Sequence, residues 1–481
     1  MASAVIRTAP RAERAIPAAG AQSARDLVRY QRIVANGLVV TPDGTARGNL
    51  GIRDGRIAAI SPDPLLGDET IDARGRVVLP GAVDLHVHFN EPGRTHWEGW
   101  GPGSRAAAAG GVTTVVEMPL NALPPTTTAA AFQAKVTAAQ ASSIVDFALW
   151  GGLITDNLSH LPTLASAGVI GFKAFMCPTG TPEFTHVEDG ILYEGLCRIR
   201  ELGLFLGVHA ESHWITQHNT ERLQAQGRTD RRAWAEARPP AAELEAIQRA
   251  LFLAARARCR LHIVHMTLPD GAEMIQESKG AGQAVTVETC AHYLTLTDDD
   301  LLRLGPVAKC APPLRDRPTQ EALWQDVLQG RIDCLTSDHS PCPTEDKTRG
   351  DEDIWQAWGG ITGVQTLVPL MLSQGVHRRG MTLPQFATLL SAAPAKIAGL
   401  WPRKGAIHIG ADADLLIVDM DREWTVEHRW LQSRHKHSPF LGRSMKGWID
   451  LVLRRGQTLA QNGEIAVDGG GVWLRPNGEK R

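Results

Sequence analysis

Eight short apolar runs rich in β-branched residues recur along the middle of this chain, with longer Ala- and Leu-rich stretches between most of them. The runs are VDLHVHF (83–89), VTTVVEM (112–118), IVDFALWGG (144–152), VIGFKAF (169–175), LFLGVHA (204–210), LHIVHMT (261–267), AVTVETC (284–290) and IDCLTSD (332–338). SRAAAAG, AAELEAIQRALFLAARARC and EALWQDVLQG are among the stretches of helical period that separate them. Parallel strands need crossover connections, and strands covered on both faces read as continuous apolar runs. Eight such units predict an α/β fold, a TIM-type (β/α)8 barrel.

The ends of the chain have a different texture. IVANGLVV, NLGIRDGRIAAI and ARGRVVLPG near the start are strand-like runs punctuated by Asn-Gly, Asp-Gly and Pro-Gly, as are GAIHIGADADLLIVD and WIDLVLRRGQTLAQNGEIAV near the end. Two β-rich flanks predict one small all-β domain built from both chain ends, residues 29–80 and 400–465, around a barrel at 81–399. Residues 1–28 are rich in Ala and Arg and lack an apolar h-region, so they read as a flexible N-terminal extension. Residues 466–481 read as a C-terminal tail.

Fifty basic and 52 acidic side chains leave a formal charge of −2, with no basic tract, which argues against nucleic acid as a partner and for a small, weakly charged substrate. No apolar run approaches the ~20 residues that cross a bilayer, so no membrane partner is expected. The seven cysteines are scattered without a close pair, which points to a reducing compartment and a cytoplasmic location.

Unusual polar residues fall in the later part of particular runs: His86 and His88 in the first, Lys173 in the fourth, His209 in the fifth, His265 in the sixth and Asp338 at the end of the eighth. Barrel active sites are built at the C-terminal ends of the strands. His86 and His88, two apart on a strand, share a face. Any one of these residues alone reads as a satisfied core or surface group, but five ligand-type side chains at strand ends read jointly as a metal site. Neutral imidazole and carboxylate suit zinc first, with cobalt, manganese or iron(II) as alternatives. An ammonium cannot ligate a metal, yet a lysine made neutral by burial beside cations reacts with carbon dioxide to give a carbamate with two ligating oxygens.

GAVDLHVHFNEPGRTHWEGW followed by AAAAGGVTTVVEMPLNALPPT resembles the cyclic amidohydrolases, the family of dihydroorotases, hydantoinases and allantoinases. The likeness continues through GFKAF, GVHAES, IVHMT, VETCAHYL, KCAPPLRD and TSDHSPC, from about residue 30 to about 465. It implies His86, His88 and Asp338 on a first metal, His209 and His265 on a second, and Lys173 as the N6-carboxylated bridge between them. It also implies a barrel with a β-sandwich from both chain ends, and a homo-oligomer, commonly a tetramer.

Within the family, dihydroorotases usually carry an Arg two residues after the second histidine of the pair and an Asn in an MPNT-like segment. Here Asn90 and Met118-Pro119-Leu120-Asn121 occupy those places, so a substrate carboxylate would find no guanidinium. Hydantoinases resemble a pattern with Tyr five residues after the lysine, where this chain has Pro178. Phe89 to Arg94, Trp97-Glu98-Gly99, Trp358-Gly359-Gly360-Ile361 and His437-Ser438-Pro439-Phe440 look like the allantoinase branch; Cys177 and Pro178 depart from it. The reaction implied is ring opening of allantoin to allantoate. A hydroxide bridging two divalent metals attacks the ring amide, and Asp338 acts as general base and returns the proton to the ring nitrogen. Asn90, Asn121, Cys290, Gly359 and Gly360 are candidate substrate-binding residues, though each also reads as a loop or core residue. Trp97 and Trp358 read first as packing. A hydrolase of other 5-substituted hydantoins and a non-enzymatic scaffold on the same fold stay open as alternatives.

Overall fold

The computed structural model describes residues 28–41 and 43–476, so the expected N-terminal extension falls, but for Val28, outside the described residues. The barrel strands are Ala82–Val87, Val112–Glu117, Asp146–Leu149, Phe172–Phe175, Phe205–His209, Arg260–Ile263, Val285–Cys290 and Cys334–Thr336. Neighbours pair in parallel register, Thr114 with Asp146 and Lys173 with Gly207 among them. The third run serves two neighbours in turn. Residues 146–149 pair with the second strand, and Gly151–Gly152, just past Trp150, pair with the fourth. Closure comes from a parallel bridge between Val87 and His339, with the His88 amide donating to the His339 carbonyl at 2.7 Å.

Most strands are shorter than the apolar runs that announce them, because the last residues of several runs leave the ladder and turn over the barrel mouth. His88, His265 and Asp338 all lie just past their strand ends. His265 (φ 39°) and Asp338 (φ 42°) are in the left-handed region, which stops strand geometry where a side chain must be re-aimed.

Five strands from the front of the chain and four from the end form one nine-stranded mixed sheet. The two halves join where Val77–Pro80 runs antiparallel to residues 415–418. Val39, Leu50, Ile52, Val78, Ile417 and Leu453 fill the interior of this β-sandwich domain. The GAIHIGADAD segment, expected as strand, instead turns at Gly405 (φ 88°) and Gly410 (φ 93°) and buries Ile407, Ala411 and Ala413 in that interior. Beyond residue 466 the chain runs along the third barrel strand: the Phe147 amide donates to the Val472 carbonyl at 3.0 Å and the Leu474 amide to the Phe147 carbonyl at 2.7 Å. Among the described residues no helix is long and apolar enough to cross a membrane.

A buried ionic knot joins sandwich to barrel. The Lys404 ammonium stands 2.6 Å from Asp146, 3.0 Å from Asp412 and 2.7 Å from Asp414, while Arg455 also pairs with Asp146. Lys404 is 1% exposed and Asp146 fully buried, so removing the cation strands carboxylates that water cannot reach. Lys404→Met is expected to cost about 3–5 kcal/mol of stability by urea unfolding. A loss below about 1 kcal/mol would mean that water screens the knot.

Candidate active site

One cavity of about 700 Å³ opens at the C-terminal end of the barrel strands, within the size range of small-molecule sites. His86, His88, His209, His265 and Asp338 all line it. His86 Nε2 and His88 Nε2 lie 3.2 and 3.3 Å from the same Asp338 oxygen. On the other side, His209 Nδ1 and His265 Nε2 are 2.9 Å apart. The His86 and His265 rings, 5.4 Å between centroids, connect the two groups.

Lys173 is fully buried with them, its Nζ without a hydrogen-bond partner among the described residues. Burial lowers its pKa to about 8, against the pull of Glu288 and Asp338. Burial also holds His88 down at about 4 and His265 well below the usual imidazole range, so both rings are neutral with lone pairs to give. For Asp338, burial is outweighed by the imidazoles of His86 and His88, which hold the carboxyl at about 2. Neutral imidazoles, an ionised carboxylate and an unpartnered amine in one buried cluster form a donor set that fits divalent metals. His86, His88 and Asp338 place ligand atoms within 4.8 Å of one another, as do Cys290, His292 and the same Asp338.

The carboxylates behind these groups are absent from the sequence reading. Glu288, fully buried on the seventh strand, accepts from His86 Nδ1 at 2.6 Å and from His262 Nε2 at 3.1 Å. Although burial opposes it, His86 and His262 keep Glu288 below the usual carboxylate range. A carboxylate on Nδ1 fixes the tautomer and leaves Nε2 as the lone-pair nitrogen facing the cavity. Glu211 does the same for His209, meeting Nε2 at 2.7 Å and freeing Nδ1; Glu211 is itself paired with Arg238. Asp84 accepts from the backbone amides of His86 and Ser337, both at 3.2 Å, tying the first strand to the eighth. The rule that picked out the histidines, a polar residue late in an apolar strand, also selects Glu117 and Glu288 once acids are included. Glu288→Gln is expected to weaken metal retention about 10- to 100-fold in a competition titration with a chelator. Retention equal to wild type would remove Glu288 from the site.

The other sequence candidates divide. Asn121 and Gly359 line the cavity, and the Asn121 side chain reaches His88 Nδ1 at 3.3 Å. Asn90, Cys290 and Gly360 are buried and not on its wall. Asn90 donates to the Pro341 carbonyl, Cys290 lies 3.5 Å from the Thr336 hydroxyl, and a Cβ on Gly360 would meet the Ser340 carbonyl at 2.5 Å. Trp97 and Trp358 do both things at once, packing edge to face at 4.7 Å while lining the cavity. At Gly93 (φ 86°) a Cβ would strike the Leu123 carbonyl at 2.4 Å, so this close turn holds the loop after the first strand against the loop after the second.

Residues 77–459 match the amidohydrolase family. The chain is 48% identical to an allantoinase of Rubrobacter xylanophilus over 94% of its own length and 99% of that protein. An allantoinase of Deinococcus radiodurans is 43% identical over 92% of this chain and 98% of its own. Among solved structures, the L-hydantoinase (dihydropyrimidinase) from Arthrobacter aurescens superposes with a TM-score of 0.91 at 39% identity, over 93% of this chain and all of that one. The dihydropyrimidinase from Brevibacillus agri gives 0.87 at 28% identity, over 94% of this chain and all of that one. This chain is therefore a member of the amidohydrolase family, on its allantoinase branch.

Proposed function

We propose that this protein hydrolyses the ring amide of allantoin to give allantoate, using divalent metals held by the residues gathered at the barrel mouth. The observation that carries the reading is the convergence of four imidazoles and Asp338 on one cavity, with the buried Lys173 amine beside them. Family membership implies a divalent metal, and the donor set supports a pair, zinc foremost, with His86, His88 and Asp338 on one ion and His209 and His265 on the other. Lys173 would bridge them as the carbamate formed when its neutral amine adds carbon dioxide and releases a proton; the depressed pKa and partnerless Nζ support this. Bound metals of this kind supply Lewis acidity toward the carbonyl and acidify water near neutral pH.

The chain's own residues do the rest. Asp338, already ionised, accepts a proton from the attacking water as its oxygen bonds to the carbonyl carbon. As the C–N bond breaks, that proton passes to the ring nitrogen, and a weakly basic carboxylate releases it readily. Neutral His88 and His265 cannot compete for the proton while they serve as ligands. Asn121 orients His88. With the amide turned so that Oδ1, otherwise unpartnered, faces Nδ1–H, the ring presents Nε2 to the cavity. Asn121 and Gly359 on the wall are the proposed substrate contacts, and we place Asn90, Cys290 and Gly360 in support of that wall. A homo-oligomer, as the family resemblance implies, is part of the same proposal.

The hydantoinase neighbours favour other 5-substituted hydantoins only weakly beside the allantoinase relatives. A turnover panel of allantoin, dihydropyrimidine, dihydroorotate and simple hydantoins tests the reading. Allantoin is expected to give the highest kcat/KM, and a chelator to remove that activity. A higher value on a simple hydantoin would overturn the assignment of substrate.

A further inference from the structure

With the ligand cluster and its carboxylates set aside, two guanidinium groups remain on the cavity wall, Arg94 and Arg238. Arg238 is engaged with Glu211, which holds His209, and so belongs to the scaffold of the cluster. Arg94 stands elsewhere. Its Nη1 donates to the Asn121 carbonyl at 2.9 Å and to the Glu183 carboxylate, and its guanidinium carbon lies 5.3 Å from the centre of the Trp97 ring. It thereby ties together the loops that follow the first, second and fourth barrel strands. Nε and Nη2 have no protein partner among the described residues and are not sealed from solvent, and 17% of the side chain is exposed.

Asn121 marks how far out this guanidinium lies. Its side chain reaches His88 and its carbonyl reaches Arg94, so Arg94 is one residue's breadth outward from the imidazoles. Arg94, Trp97 and Leu120 line the same cavity as His88 and Asp338, so a hydantoin ring whose amide meets Asp338 would have this wall within reach of its 5-substituent. We propose that Arg94 is the specificity-determining residue for that substituent, its free Nε–H and Nη2–H donating to the carbonyl oxygen of a 5-ureido group. This inference rests on the reading of the site as a hydantoin-ring hydrolase.

The chemistry discriminates in both directions. A ureido carbonyl has two lone pairs for a planar fork of donors, and its flat frame suits a wall faced by Trp97. An alkyl substituent offers no acceptor and leaves the donors desolvated and unpaired. Glu183 offsets the charge of Arg94 and is not itself on the cavity wall, so the wall is near neutral and matches an uncharged arm.

The test compares metal-loaded wild type, Arg94→Gln and Glu183→Gln on allantoin and on 5-methylhydantoin. Arg94→Gln is expected to lower kcat/KM for allantoin about 10- to 100-fold, mainly through KM, as befits the loss of hydrogen bonds from a charged group. Its kcat/KM for 5-methylhydantoin should stay within about threefold of wild type. Glu183→Gln, which loosens the loop tie but keeps the guanidinium, should leave the ratio of the two substrates within about threefold. Equal losses on both substrates in Arg94→Gln would make the residue a loop clamp and overturn the proposal. The same selectivity loss in Glu183→Gln would overturn it too. Wild type that opens neither ring would instead bring down the hydrolase reading and this inference together, an outcome distinct from allantoin turnover without an Arg94 effect.

Discussion

Asp338→Asn is expected to lower kcat on allantoin by about 10⁴-fold, the upper range for a lost general acid–base group, while the unfolding midpoint stays close to that of wild type. The substitution preserves shape and polarity but removes the proposed proton acceptor. In wild type that acceptor is ionised, because the imidazoles of His86 and His88, 3.2 and 3.3 Å away, outweigh the effect of burial. The amide keeps one oxygen to face those rings, so the packing around residue 338 survives. Kinetics and thermal unfolding of the same preparation separate the two effects. A variant within about tenfold of wild-type kcat would take Asp338 out of the chemistry.

Lys173→Ala is expected to lose both metal and at least about 10³-fold in rate, because the proposed bridge between the two groups of ligands goes with it. The substitution empties a buried space beside the Phe175 ring, whose centre lies 5.0 Å from Lys173 Nζ. A short carboxylate such as acetate or propionate can enter that hole and supply two oxygens where a carbamate would have been. Added at millimolar concentration, it is expected to restore activity at least about tenfold over the unsupplemented variant. Lys173→Arg should not be rescued, since a guanidinium fills the space and cannot take up carbon dioxide. Full metal content in Lys173→Ala would contradict the bridging role directly.

Much of this site is legible in the chain because a barrel converts sequence position into spatial position. Once eight apolar runs are counted, a residue late in a run is a residue at the mouth, and His86, His209 and Lys173 need no further information to be brought together. His88, His265 and Asp338 were found by the same reading even though they lie past the ends of their strands. Their left-handed or loop backbone still aims them inward, which sequence pattern cannot disclose.

What escaped the reading escaped it for a physical reason. Glu288 and Glu211 are acids whose role exists only through a partner on another strand, and pairing across 202 residues, as between His86 and Glu288, leaves no local trace. Loop candidates fared unevenly for a similar reason. Asn90 and Asn121 look alike in sequence, both polar and both with positive φ, at 63° and 70°, but only Asn121 reaches the cavity wall. Arg94 stands in the sequence only as the last residue of the Phe89 to Arg94 stretch, with no role of its own, because its partners lie in two other loops. The strand content of the C-terminal flank was overestimated where Gly405 and Gly410 turn the chain and its apolar residues fill the sandwich interior.

Paired cations gripped by His86, His88, Lys173, His209, His265 and Asp338 are proposed above, and metal analysis of the purified protein tests that most directly. Mass spectrometric quantification is expected to find about two divalent ions per chain, removed by a chelator together with allantoin turnover and restored together on readdition of metal. Metal-free protein that opens the ring at the wild-type rate would contradict it.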